Sequence, residues 1–228
     1  MDQKHLTIPG FLSTCRWTQS LSAEELARVA VEIIDKRVPA GGYVCRKGEA
    51  VASWIGVIDG LVKMSTLSTE GKLTTLTGVP AGGWFGEGSL LKEEPRRYDI
   101  MALRESRIAY LPRATFNRLL NTNLGFNRFL LGQLNERLGQ FIALVESERL
   151  LDPDARVARS LGALFNPVLY PGIGRQIQIS QEEIGLLAGV SRQRVNQALP
   201  VLERAGLLKV AYGGVQVVDL SGLQHFGS

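Results

Sequence analysis

Residues 179–218, ISQEEIGLLAGVSRQRVNQALPVLERAGLLKVAYGGVQVV, decide the fold. They read as two short helices around a tight turn, followed by a β-hairpin. Ser180 opens the first helix with a hydroxyl that caps free amides, and Glu183, three residues on, completes a capping box. Ile184, Leu187 and Ala188 face inward and Gly189 stops the helix. Gly185 carries no side chain, so a second helix can cross close by. Ser191 caps that second helix, read over 191–203, whose buried stripe is Val195, Leu199 and Leu202. Arg192, Gln193, Asn196 and Gln197 then point outward. No acidic residue stands between Glu183 and Glu203, so this face is positive and rich in amides. Arg can pair with guanine in two-pronged fashion, and Gln or Asn with adenine. Lys209–Val218, with Gly213-Gly214 read at its tip, supplies a two-stranded wing. The stretch predicts a winged helix-turn-helix with 191–203 as recognition helix. The competing reading is a helical hairpin in an enzyme's accessory domain, its Arg and Gln merely solvated.

Working outward, the 228 residues suffice for two modest domains with separate cores. A net charge of +4 is too small for a general polyanion glue, so affinity for DNA has to come from a local patch. The N-terminal MDQKHLTIPGF lacks the apolar core of a signal peptide, and no run has the length of a membrane span. The two cysteines, Cys15 and Cys45, cannot build a disulfide framework or an iron–sulfur cluster. These features place the chain in the cytoplasm with free thiols. His5 and His225, near the termini, are the only histidines, which argues against a haem or histidine-based metal site. A cupin-like β-roll enzyme would need clustered His and carboxylates, and 37–111 contains no His. No Ser–His–Asp set or phosphate-loop lysine motif is present, so the chain reads as a non-enzyme without a cofactor.

Residues 20–36 show helical spacing at Leu21, Leu26, Val29, Ala30 and Ile33, with Ser22 as cap and Glu25 as its box partner. From 37 to 111 the period changes to short β-type runs: Tyr43–Cys45, Trp54–Asp59, Leu61–Leu67, Lys72–Thr77 and Ile108–Leu111. Gly41-Gly42, Gly48, Asp59-Gly60, Glu70-Gly71 and Pro80–Gly83 punctuate them, which predicts a sandwich or barrel. Residues 123–150 form the longest helical stretch. Leu131, Leu134, Leu138, Phe141, Val145 and Glu148 recur at spacings of three and four, a heptad seam. A second copy about a two-fold axis would bury it; the plainer alternative is a helix packed on its own β-domain. Asp152-Pro153-Asp154 breaks this helix and caps the next, Ala155–Phe165. Pro200 falls inside the recognition helix, where it removes a backbone bond and is expected to kink the helix.

This order resembles the Crp/Fnr family of bacterial transcription regulators over about residues 20–220. The resemblance is carried by Gly60 and Gly71 in the turns, Trp84-Phe85-Gly86-Glu87, Asp152 at the hinge, and Ser180, Glu183-Ile184-Gly185, Gly189-Val190-Ser191-Arg192 and Val195. It implies an α+β chain with an N-terminal antiparallel β-roll similar to a cyclic nucleotide-binding domain (a double-stranded β-helix), a long dimerisation helix, and a C-terminal winged helix-turn-helix. The corresponding parts are 1–122, 123–151 and 152–228. Implied partners are double-stranded DNA at a pseudo-palindromic operator, a second copy of the chain, and RNA polymerase, with no membrane. DNA contacts are expected from Ser180, Gln181, Ser191, Arg192, Gln193, Arg194, Asn196 and Gln197, with Gln181 and Arg194 on phosphates.

In the catabolite-activator branch a cassette holds cyclic AMP, and its matching positions are Gly86, Glu87, Ser89, Arg97 and Tyr98. A helix N-terminus after Gly86 offers amides to an anion, Arg97 a two-pronged bond, and Glu87 an acceptor. This chain departs from that branch. Tyr98, followed by Asp99, replaces the Ser or Thr after the cassette Arg, and Phe141 and Ile142 replace the hydroxyl residues that face adenine. The departures argue against cyclic AMP and for another small-molecule effector, or for a filled roll that needs none. The rival is a cyclic-nucleotide-binding sensor whose DNA binding is secondary. In the recognition helix Gln193 replaces the usual Glu and Gln197 an Arg, which shifts the expected base preference toward adenine beside the guanine read by Arg192.

Overall fold

The computed structural model describes residues 6–67, 73–150, 152–171 and 173–227, with side chains of the long helix as far as 147. Glu70-Gly71, Lys72 and the Glu148 position of the heptad seam lie outside the described residues or side chains. The chain opens with α1 (Ile8–Thr14), a 3₁₀ turn (Arg16–Ser20) and α2 (Ala23–Glu32). Ser22 caps α2 by accepting from the Glu25 amide. The box is not closed, because the Glu25 carboxylate turns to Arg118 instead. The helix read over 20–36 ends at Glu32, and Ile34–Val38 forms β1. The cause is long-range: β1 runs antiparallel to β8 (Ser106–Pro112), and Arg107 of β8 pairs with Asp35.

Among the described residues, eight strands build the roll as two antiparallel sheets. Its other strands are β2 (Tyr43–Cys45), β3 (Ser53–Asp59), β4 (Leu61–Leu67), β5 (Leu73–Pro80), β6 (Trp84–Phe85) and β7 (Asp99–Ala102), with α3 (Glu87–Leu91) between β6 and β7. One sheet has the order β1-β8-β3-β6 and the other β2-β7-β4-β5. Their facing sides bury Val44, Ile55, Val57, Val62, Met64, Phe85, Ile100 and Ile108. A second cluster, under α1 and α2, is aromatic. Trp17, Trp54, Trp84, Phe116 and Phe126 pack there with ring centroids 4.4 to 5.8 Å apart. Trp54 and Trp84 are thus core residues.

Two helices follow: α4 (Arg113–Thr122) and α5 (Leu124–Leu150). They are separated at Asn123, whose Oδ1 accepts the Phe126 amide at 2.8 Å. Asp152 then caps α6 (Pro153–Ala163) by accepting from the Asp154 and Ala155 amides. The last part comprises β9 (Gln176–Gln178), α7 (Gln181–Ala188), α8 (Arg192–Arg204), the wing strands β10 (Leu208–Ala211) and β11 (Gly214–Val217), and α9 (Leu220–His225). The α+β architecture of roll, long helix and winged helix-turn-helix is as expected.

Candidate nucleic-acid interface and effector site

Both helices of the helix-turn-helix start and stop for local reasons. Ser180 and Glu183 form the full capping box, the amide of Ser180 donating to the Glu183 carboxylate at 2.6 Å and the amide of Glu183 to the Ser180 hydroxyl at 3.2 Å. Gly189 ends α7 in the left-handed region, at φ +64. A Cβ on Gly185 would stand 2.8 Å from the Val190 carbonyl oxygen, so the crossing requires glycine there. Ser191 caps α8 by accepting from the Arg194 amide. Val195, Ala198, Leu199 and Leu202 are buried, while Ser191, Arg192, Gln193, Asn196 and Gln197 are exposed on one face. Gln181 is half-buried at the start of α7. A cleft of about 320 Å³ lined by Gln181, Arg192, Val210 and Gly213 separates α7 and α8 from the wing.

Arg194 behaves differently from the rest of this face. It bonds Gln197 at 3.0 Å and pairs with Asp154 of α6 at 2.9 Å. The acid missing from the local sequence is thus supplied by another helix. α8 continues through Pro200 without interruption. Pro200 is exposed and has no N–H, so the Asn196 carbonyl lacks its i+4 donor. The hairpin tip is Tyr212-Gly213, not Gly213-Gly214. Gly213 takes the turn at φ +71, whereas Gly214 lies inside β11, where a Cβ would come 2.3 Å from the Ile177 carbonyl oxygen. β9 crowds the hairpin there, and the hairpin's own sequence carries no sign of that strand. Tyr212 is left fully exposed at the end of the wing.

On the long helix, Leu131, Leu138 and Val145 are 68%, 59% and 49% exposed at seven-residue intervals, an apolar stripe that the described residues leave open. Leu134 is half-buried. Phe141 turns to the roll cluster instead.

The cassette positions divide. Gly86 precedes α3 at φ +92, and Glu87 and Ser89 are buried. The Trp54 indole donates to Glu87 at 3.2 Å. Arg97 is directed outward onto Glu94, at 2.7 and 2.6 Å. It is Arg96 that is buried beside Gly86, donating to the Ser53 carbonyl at 2.6 Å. At φ +92 Gly86 holds a conformation that side-chain-bearing residues rarely adopt, and a Cβ there would also displace the Arg96 guanidinium, 2.1 Å away. The Arg96 backbone is held by the Gly48 amide at 2.8 Å and the Glu49 carbonyl at 2.9 Å, a pairing with a distant loop for which local sequence carries no signal. Tyr98 packs against the roll cluster, and burial, with Glu87 nearby, pushes its hydroxyl up to about 12. Ile142 is 60% exposed.

A further buried charge went unread in the sequence. Arg137 on α5 donates to the Trp84 carbonyl at 2.9 Å and to the Tyr170 hydroxyl at 3.3 Å. Burial disfavours its charge, but Tyr170, Glu87 and Tyr98 around it more than offset this and keep it cationic. The one signal available was its place three residues after Leu134 and four before Phe141, on the Phe141 side of the helix. Cys15 is buried and accepts from the Trp84 indole at 3.2 Å, and burial pushes its thiol up to about 12. Among the described residues no cluster of His, Cys, Asp and Glu is arranged to hold a metal, and no helix is long and apolar enough to cross a membrane.

Family models match both ends of the chain: the cyclic nucleotide-binding domain over residues 35–123 and the Crp-like helix-turn-helix domain over 155–226. The chain is 31% identical over 186 residues to the cAMP-activated global transcriptional regulator CRP of Haemophilus influenzae, covering 80% of this chain and 82% of that protein. It is 28% identical to the transcriptional regulator SdrP of Thermus thermophilus, covering 74% and 81%. Among solved structures, the catabolite activator protein of Thermus thermophilus aligns with a TM-score of 0.51 at 25% identity, over 93% of this chain and 99% of that one. FixK2 of Bradyrhizobium japonicum shares the fold with a TM-score of 0.69 at 16% identity, over 86% and 98%.

Proposed function

Because this chain belongs to the Crp/Fnr family of DNA-binding transcription regulators, we propose that it acts as a cytoplasmic homodimer on a pseudo-palindromic operator. In this reading residues 1–122 form the sensor part, 123–151 the dimer spine and 152–228 the DNA-binding part. The observation that carries it is the exposed face of α8: four side chains suited to base edges, with Val195, Ala198, Leu199 and Leu202 turned inward. Arg192, at the first turn, reads a guanine, and Gln193, Asn196 and Gln197 favour adenine. Ser180, Gln181 and Ser191 lie at the two helix N-termini, where a DNA phosphate is favoured. Arg194 reaches a phosphate only by giving up Asp154.

Two copies meet along Leu131, Leu138 and Val145, flanked by the half-buried Leu134, since the first three apolar side chains stand exposed in the single chain. Phe141 contributes to the roll side of the same helix. RNA polymerase is the partner that would turn operator binding into regulation.

The roll is not a cyclic AMP pocket in this reading. Arg97 is engaged by Glu94, Tyr98 fills the position of a small hydroxyl residue, and Phe141 and Ile142 offer no hydrogen bond to a base. An effector of other chemistry would meet Gly86, Glu87, Ser89 and Tyr98. Cyclic AMP is therefore expected to leave the melting temperature unchanged, and a shift that saturates with concentration would refute this part. The DNA reading is tested by selecting binding sites from random duplexes with wild type and Arg192→Ala. The variant should relax the preference at one base pair per half-site, a loss of about 1–3 kcal/mol. An unaltered base preference would contradict it.

A further inference from the structure

The junction between the roll and the DNA-binding part is closed from the DNA-binding side. After α6, Asn166 folds the chain into a turn, its Oδ1 accepting the Val168 and Leu169 amides at 2.9 and 2.9 Å. Its Nδ2 donates to Glu136 of α5 at 3.2 Å. This turn delivers Leu169 and Tyr170 into the interior cluster of the roll, away from the cluster of their own domain. Tyr170 has no exposed surface. The loop that receives it has no side chains to spare. A Cβ on Gly83 would lie 2.9 Å from the Tyr170 ring, and one on Gly82 2.7 Å from the Pro171 carbonyl oxygen.

The phenol then joins three elements. It donates to the Gly78 carbonyl of β5 at 3.1 Å and accepts from Arg137 at 3.3 Å and Gln140 at 3.5 Å, both on α5. A second tie lies further out. Arg104, between β7 and β8, makes a two-pronged bond to Glu183 at 3.0 and 2.5 Å. Glu183 is also half of the capping box of α7, so this tie grips the helix that supports α8. Neither tie touches Arg192, Gln193, Asn196 or Gln197, which stay exposed. Docking therefore orients the reading face without covering it. Such orientation does not follow from chain connectivity, because Asp152-Pro153 interrupts the helix between α5 and α6.

We propose that Tyr170 is a positioning residue for operator recognition. Together with the Arg104–Glu183 pair it pins the DNA-binding domain to its own roll and long helix, and so fixes the distance between the two recognition helices of the dimer. This rests on the dimer reading above. Two such helices address half-sites about one helical turn apart (~10–10.5 bp), and a rigid joint makes the affinity depend sharply on that separation.

The test uses the intact protein and duplexes carrying two half-sites at stepped separations, together with a duplex carrying one half-site. Wild type should show a sharp optimum. In Tyr170→Phe, and independently in the variant Arg104→Gln at a half-buried position, discrimination against off-optimum separations should drop about tenfold, the scale of one lost charge-assisted hydrogen bond. Affinity for the single half-site should stay the same. Amide exchange over residues 166–171 should rise in Tyr170→Phe. Spacing profiles identical to wild type in both variants would overturn the proposal, as would equal losses on one and two half-sites, which mark a purely structural role. Should Tyr170→Phe fail to fold, the spacing profile of Arg104→Gln decides the matter alone. A wild type with measurable half-site binding but no spacing optimum overturns the proposal and the dimer reading together. A normal optimum that both variants retain overturns the proposal alone.

Discussion

Leu138→Ala should weaken self-association about a hundredfold. Leu138 is 59% exposed in the single chain, midway along α5 between Leu131 and Val145. Replacing Leu by Ala removes three carbons, about 2.4 kcal/mol of transfer free energy at ~0.8 kcal/mol each. Only the exposed 59% is left for a partner to bury, so each copy loses about 1.4 kcal/mol on association. A two-fold axis enters the change twice, giving about 2.8 kcal/mol, or roughly two decades in the dimer dissociation constant. Alanine is the best helix former, so α5 itself should not weaken. Sedimentation equilibrium over a dilution series measures the constant directly. Val31→Ala, at a position 87% exposed on α2 and away from the long helix, is the control and should leave it unchanged. If Leu138→Ala associated as tightly as wild type, the apolar stripe would not be the dimer surface.

Two further changes probe the folded state. Burial alone would raise the Glu32 carboxyl, but bonds from Thr115, Arg28 and Arg118 outweigh it and hold the group below its ordinary 4.5. Its folded-state value being depressed, the stabilisation is complete above 4.5 and is lost as pH falls through the lower folded value; thermal melts of Glu32→Gln should therefore lie below wild type at neutral pH and converge with it in acid. Pro200→Ala restores a donor to the Asn196 carbonyl at an exposed position of α8, a gain of up to about 3 kcal/mol, and should raise the melting temperature; a lower one would mean that the proline shapes the helix as packing requires.

What could be read from the chain was local. Ser180, Glu183, Gly189 and Ser191 fix both helices of the motif through bonds spanning a few residues, and Gly185 marks the crossing by its missing side chain. The runs that became β2, β3, β4, β5 and β8 were legible from the Gly and Pro punctuation around them, whereas β6 and β7 were not read as strands. What escaped depends on distant partners. Ile34–Val38 reads as the end of a helix until β8 supplies a ladder and Arg107 a charge for Asp35. Arg96 rather than Arg97 is tied by its backbone to the distant Gly48 and Glu49, and Arg194 finds its acid across the domain on Asp154. Tyr170 sits in a loop with no motif, and only the folded chain brings it to Gly78, Gly83 and Arg137.

The central claim is that two copies of this chain read one duplex through α8. Native mass spectrometry of the protein with a duplex selected from a random pool tests it most directly. The account predicts two chains on each duplex, a pseudo-palindromic site with a guanine in each half, and displacement of neither chain by excess random DNA. One chain per duplex, or equal binding to selected and random sequences, would contradict it.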